Sequence, residues 1–235
     1  MKIIKKFVLL VYFLFGFSAV AQNINHNLWT TLLETYVDSN GNVNYKELTK
    51  KAENIDTYLN LLSNSKPDNL VSREEKLAYW INAYNAFTIK LIIDNYPIKS
   101  IKDIKQPWDK KFIDIDGELI SLNEIEHDIL RKMNEPRIHF AIVCASVSCP
   151  KLQNTAFEPS KIEEQLTNAT KEFLADPSKN NLSPNSIRIS KLFQWFSKDF
   201  TQNGTLIDFL NQYSEITISP KAKRSFNNYN WRLNE

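Results

Sequence analysis

The stretch HFAIVCASVSCP, His139 to Pro150, holds both cysteines of the chain and one of its three histidines. Those residue types support thiol chemistry. A thiolate is the reactive form of cysteine, and a neighbouring imidazole can generate it. Cys144 and Cys149 enclose four residues, a spacing different from the redox C-x-x-C pattern, and two cysteines alone cannot complete a four-ligand structural zinc site. Three readings stay open. The pair is a disulfide, or one cysteine is a nucleophile with His127 or His139 as base, or His127, His139 and Glu126 ligate a metal or bind a ligand. If residues 137–144 form one strand, Phe140, Ile142 and Cys144 share a face and His139 lies opposite. Cys144 is then expected to be structural. Cys149, in the turn before Pro150, is expected to be the freer thiol and the first choice of nucleophile.

Polar residues on apolar helix faces supply the other candidates. In LNEIEHDILRKM, Leu122, Ile125, Ile129, Leu130 and Met133 make an apolar stripe at helical spacing, and Glu126 falls inside it. An inward carboxylate needs a cation or strong donors, since burying its charge unpaired is prohibitive. His127 sits on the flank of that stripe. Glu126 and His127 are neighbours on the helix, so they serve separate partners. In AYWINAYNAFTIKLII the charged Lys76, Lys90 and Asp94 gather on a narrow arc, which turns Asn82 and Asn85 inward. A buried amide left unpaired costs roughly 1–3 kcal/mol. Each asparagine is therefore expected to hold the backbone of a nearby loop, or to orient a catalytic group or donate to an oxyanion.

These residues depend on a few elements. Ser72/Glu75, Ser121/Glu124 and Ser160/Glu163 have the S-x-x-E spacing of a capping box, which predicts helices over 73–95, 122–133 and 161–174. An earlier amphipathic helix is expected over 27–37. Asp38-x-Asn40-Gly41-Asn42 reads as a turn into a short strand at 42–45, because its glycine comes too early for a calcium loop and the bidentate acid is missing. Strands are expected at 111–115 and 118–121, joined by Asp116-Gly117, and at 137–144 and 186–190. Short helices are expected at 192–200 and 205–213. The fold class is α+β, a helix-rich single domain around a small, mostly antiparallel sheet.

Composition narrows the setting. Lys2, Lys5 and Lys6, the apolar run from Phe7 to Phe17 and Ala19-Val20-Ala21 form the pattern of a secretory signal peptide over residues 1–21. The apolar run is short for a membrane span, and no cysteine follows it to carry a lipid. The expectation is an exported protein, periplasmic or extracellular, with no membrane attachment after cleavage. The chain has 29 basic and 27 acidic residues, and the three lysines of the leader account for its net positive charge. No nucleic-acid partner is expected. Four glycines leave no Gly-rich phosphate loop. Nothing in the pattern requires a metal or cofactor, so the expected partner is a small molecule or a peptide-like substrate.

The runs AYWINAYNAF, SLNEIEHDILR, PRIHFAIVCASVSCPKL, ISKLFQWFSKDF and NYNWRLN, in that order over roughly residues 70–232, resemble the family catalogued as domain of unknown function 547. The resemblance implies a core domain over 67–235, preceded by a helical extension over 22–66. It also implies signature positions at Trp80, Asn82, Asn85, Glu126, His127, Arg131, His139, Cys144, Cys149 and Pro150. It brings no reaction with it. The expected function is a thiol-dependent hydrolase or acyltransferase with Cys149 or Cys144 as nucleophile, His127 or His139 with Glu126 as acid or base, and Asn82, Asn85, Trp80 and Arg131 as orienting or binding residues. The alternatives are a non-enzymatic binding module with structural cysteines, or a redox-active or structural disulfide.

Overall fold

A computed structural model describes residues 24–235, so the leader pattern at 1–21 lies outside the described residues. The chain is α+β and helix-rich. Three helices come first: α1 (Asn27–Tyr36), α2 (Tyr45–Thr49) and α3 (Ala52–Ser63). α2 and α3 pack against α4 (Arg73–Ile93), and α1 packs on α3 and α2; α4 begins at the expected capping box of Ser72 and Glu75. Helix α4 is buried on nearly every face, Asn82 and Asn85 included, as its narrow charged arc predicts. The turn at 38–42 is closed by the Asp38 carboxylate, which accepts the backbone N–H groups of Asn40 and Asn42 and the side-chain amide of Asn42. Beyond it a single bridge between Val37 and Val43 replaces the expected short strand.

β1 (Ile113–Ile115) and β2 (Glu118–Ile120) form the expected antiparallel hairpin. Asp116 and Gly117 both take positive φ, the conformation a tight two-residue hairpin turn requires. The Ser121/Glu124 capping box follows, with Ser121 Oγ accepting Glu124 N–H and Glu124 accepting Ser121 N–H. The helix it starts is not uniform. Glu124–Leu130 is π-helical and Arg131–Met133 tightens to a 3-10 turn. Such widened turns concentrate at functional sites, and this one carries Glu126 and His127.

The apolar run at 137–144 is not a strand. Pro136–Phe140 is a 3-10 turn, and Ala141 and Ile142 both donate back to the Ile138 carbonyl. Proline suits the first turn of a helical segment, and a short, continuously apolar run carries no period that separates strand from helix. Here the run lies between two cores, with Ile138 in one and Phe140 in the other, so it needs apolar residues on all sides. The third expected box also fails. Pro159–Lys161 is a 3-10 turn leading into α5 (Ile162–Ala175), and Glu163 instead accepts from Arg137 at 2.8 Å.

The first core runs from Trp29 to Leu166 and takes in Leu233 near the C-terminus. The second is built on α5, the short helices α6 (Leu192–Trp195) and α7 (Ser197–Phe200), and α8 (Leu206–Tyr213). A second sheet joins β3 (Asn181–Leu182) antiparallel to β4 (Ser186–Ile189), and β4 parallel to β5 (Lys223–Phe226). The chain then returns to the first core as a strap. Val147 and Ser148 donate to the carbonyls of Arg232 and Asn230, Leu233 donates to Lys99, and Val43 donates to Asn234. The strap thus clamps the cysteine loop against the first half of the molecule.

Candidate functional site

A cleft of about 390 Å³ opens between the π-helical segment, the cysteine loop, α6 and the strap. Cys144 and Cys149 are disulfide-bonded in its wall. The chain folds back between them through Ala145, whose φ of 53° is the left-handed conformation that costs an alanine roughly 1–2 kcal/mol. Cys149 N–H returns to the Ser146 carbonyl at 2.9 Å and closes the turn.

The two sulfurs are unequally placed, in the opposite sense to the strand-parity expectation. Cys149 is buried at 4% exposure, and Cys144 is only partly buried. The Cys144 backbone N–H points at Cys149 Sγ at 2.9 Å. The hydroxyls of Ser146 and Tyr229 lie 3.4 and 3.2 Å from the same sulfur. The same two hydroxyls lie 3.3 and 3.2 Å from Cys144 Sγ, so they bridge the pair, and the Cys144 backbone N–H is the donor that belongs to Cys149 Sγ alone. In this disulfide-bonded form neither cysteine is a free thiol, so the expected nucleophile is absent from it. The inversion follows from the 3-10 turn, which removed the alternating faces on which the parity argument rested.

A polar network backs the cleft. Arg131 holds both oxygens of Asp199, Nε to Oδ2 at 2.6 Å and Nη2 to Oδ1 at 2.8 Å. The third guanidinium nitrogen, Nη1, lies 2.7 Å from His127 Nδ1. Arginine has only protons to offer, so His127 Nδ1 is the acceptor and its proton resides on Nε2. His139 Nε2 lies 2.7 Å from Asp199 Oδ2. Burial and then the Arg131 charge lower the His127 pKa; burial likewise lowers that of His139 despite Asp199 beside it. Both imidazoles are neutral near pH 7, and His139 donates its Nε2 proton to Asp199. Burial raises Asp199, but the hydrogen bonds from Arg131 and His139 outweigh it and hold the carboxyl well below its ordinary range. The His139 ring stacks on Phe196, with centroids 4.0 Å apart, and the Arg131 guanidinium lies over Phe196 at 5.4 Å.

Glu126 is buried in the cleft and accepts from Tyr84 Oη at 3.2 Å. Burial pushes its pKa up to about 7, against the opposing pull of Tyr84 and Arg131. A carboxyl poised there can give or take a proton near neutrality.

Of the residues expected to form a site, Glu126, His127, His139, Cys144, Cys149 and Pro150 line this one cleft. Arg131 stands behind it and orients both histidines. The asparagines do other work. Asn82 donates to Phe157 O and accepts Phe157 N–H, and Asn85 donates to Ala141 O and accepts Val143 N–H. Both ends of each amide are engaged with backbone, which corrects the expectation of an oxyanion donor. Trp80 is buried against Tyr79 and lies in the first core rather than in the cleft wall.

Sequence reasoning did not single out Asp199, Tyr84 or Tyr229. Asp199 lies in ISKLFQWFSKDF and Tyr229 in NYNWRLN, two of the runs that carried the resemblance. A lone carboxylate among aromatics was the available signal. Only the packing of α7 against Arg131 and His139 gives it a role.

No curated protein and no solved structure matches the chain. Residues 67–174 match the model of a family described as protein of unknown function, DUF547. That stretch holds Tyr84, Glu126, His127, His139 and both cysteines, whereas Asp199 and Tyr229 come from beyond it. The match supports a DUF547 family assignment for this segment of the chain.

Proposed function

We propose that the protein is exported and exchanges disulfides with thiols in this cleft, with the Cys144–Cys149 bond as its reactive group. The observation that carries the reading is the Cys144 backbone N–H aimed at Cys149 Sγ at 2.9 Å, in a disulfide that faces a cleft and is bridged by the Ser146 and Tyr229 hydroxyls. A substrate thiolate attacks the more accessible Cys144 sulfur. A bond forms between the substrate sulfur and Cys144 Sγ, the Cys144–Cys149 bond breaks, and its electron pair goes to Cys149 Sγ. The substrate's thiol proton leaves for solvent. A leaving thiol departs faster when its thiolate is stabilised; the Cys144 N–H supplies that stabilisation to Cys149 alone, and the Ser146 and Tyr229 hydroxyls are within reach of either sulfur. A second substrate thiolate then attacks the substrate sulfur of the mixed disulfide and releases Cys144. Two thiols become one disulfide and the protein becomes a dithiol; the reverse sequence reduces a substrate disulfide. Export rests on the leader pattern of residues 1–21, and a cysteine pair in an oxidising compartment is consistent with it.

The Asp199–His139 pair favours a second reading. In the reduced protein an Asp-oriented neutral imidazole in the same cleft suits a cysteine hydrolase or acyltransferase. One experiment separates the two. Cys149→Ser and Cys144→Ser are each treated, folded, with a small disulfide, and adducts are read by intact mass. Exchange predicts rapid capture of a mixed disulfide on Cys144 in Cys149→Ser, and much slower capture on Cys149 in Cys144→Ser. The proposal fails if neither variant reacts until it is unfolded. Turnover of activated esters by the reduced wild type, absent from the oxidised form, supports the hydrolase instead.

A further inference from the structure

The cleft has an aromatic wall that leads to the sulfurs. Trp108 meets Trp231 at 5.6 Å between centroids, Trp231 stacks on Trp195 at 5.8 Å, and Trp195 meets Tyr229 at 4.8 Å. Tyr229 then hydrogen-bonds Cys149 Sγ. Trp195 is 45% exposed, which is unusual for so large an apolar side chain. The charge of the cleft is one-sided. Among the described residues no lysine or arginine lines it, while the carboxyls of Asp109 and Glu126 do. Asp109 follows Trp108 directly and is held by the Asn123 side-chain amide at 2.9 Å. Tryptophan faces attract cations, and a carboxylate beside them adds to that attraction. The chain itself gives an instance, since Lys102 Nζ sits 5.1 Å over the Trp231 ring. Arg131, behind the wall, has its charge taken up by Asp199.

We infer that the substrate class of this cleft is a thiol or disulfide carrying a positively charged ammonium or guanidinium group, which the tryptophan wall and Asp109 hold while its sulfur reaches Cys144. This rests on the disulfide-exchange reading. An anionic thiol meets the Asp109 carboxylate, with the Lys102 ammonium already engaged on Trp231, and is disfavoured.

The test measures reduction of the oxidised wild-type protein by cysteamine, 2-mercaptoethanol and 2-mercaptoethanesulfonate. Each rate is divided by that thiol's rate on hydroxyethyl disulfide, which removes differences in intrinsic thiol reactivity. The normalised rates are expected to fall in that order, with cysteamine about tenfold or more ahead of the sulfonate, the scale set by one desolvated cation–π contact. Raising the salt concentration shrinks the ratio. Asp109→Asn and Trp195→Ala are each expected to shrink it too, and retention of the wild-type far-ultraviolet spectrum shows that the fold survives. Equal normalised rates, or a preference for the sulfonate, overturn the inference and leave the exchange reading standing. If none of the three thiols reduces the folded protein, the exchange reading fails first.

Discussion

Arg131 grips Asp199 through two parallel hydrogen bonds, Nε to Oδ2 at 2.6 Å and Nη2 to Oδ1 at 2.8 Å. The contact joins the end of the π-helical segment to α7, 68 residues away along the chain. One guanidinium thereby sets the position of two histidines, His127 directly and His139 through the carboxylate. The fork geometry matters, because lysine offers a point charge where arginine offers a planar pair of donors.

Arg131→Gln is expected to cost about 2–4 kcal/mol, because it leaves the Asp199 carboxylate mostly buried without its main partner. Urea unfolding at pH 7 reads this loss. The Arg131 charge also lowers the pKa of both histidines, so the imidazole NMR signals of His127 and His139 are expected to titrate at higher pH in the variant. An unchanged stability or unchanged titrations would show that the fork is incidental. Asp199 has a depressed folded pKa, so its contribution is present above its ordinary value of 3.8 and fades as the pH drops below it.

Glu126 reverses that sign. Its folded pKa is raised from 4.5 to about 7, so between those values the unfolded chain releases a proton that the folded chain keeps. The stability contributed by the neutral carboxyl is fully present below pH 4.5 and is lost as the pH rises through 7. Glu126→Gln removes this dependence. The stability of wild type minus that of the variant is therefore expected to fall by up to roughly 3 kcal/mol from pH 4.5 to above pH 7. The low pKa of His26, at about 4 through burial, has the opposite slope but is common to both proteins and cancels in the difference. A flat difference curve from unfolding titrations across that range contradicts the assignment.

Asn82 and Asn85 make a matched pair, each donating to one backbone carbonyl and accepting one backbone N–H. Alanine at either position orphans buried backbone groups and is expected to cost roughly 2–4 kcal/mol. The two differ in what they hold. Asn85 fixes Ala141 and Val143 just ahead of Cys144, whereas Asn82 fixes Phe157, which lies outside the cleft wall. Asn85→Ala is therefore expected to alter the rate at which the disulfide is reduced, with Asn82→Ala leaving that rate near wild type despite a similar loss of stability. Equal effects on the rate would mean that the cysteine loop is not positioned by Asn85.

Much of the helical framework was legible in the residues because its causes are local. Ser72 and Glu75 are three apart and cap each other whatever surrounds them. Asp116-Gly117 demands its turn, and the narrow charged arc of α4 announces its burial. Glu126 was readable as an inward carboxylate because a polar residue within an apolar stripe is itself a local signal. The run at 137–144 was misread for the same reason inverted. It is apolar throughout, so no period betrayed its 3-10 turn, and the parity that separated His139 from Cys144 never existed in the fold.

Local chemistry in the residues set two of the three capping boxes, the hairpin, the inward polar residues and the positions from which a site is drawn. Only the packed chain settles that Cys144 and Cys149 pair, that Cys149 is the sheltered sulfur, that Tyr229 completes the cleft and that Asp199 backs it. Those contacts join residues 60 and 80 positions apart. Caps, turns and periodicity act over a few residues and hold no record of such pairings, which are set by how the two cores and the returning strap close around the cysteine loop.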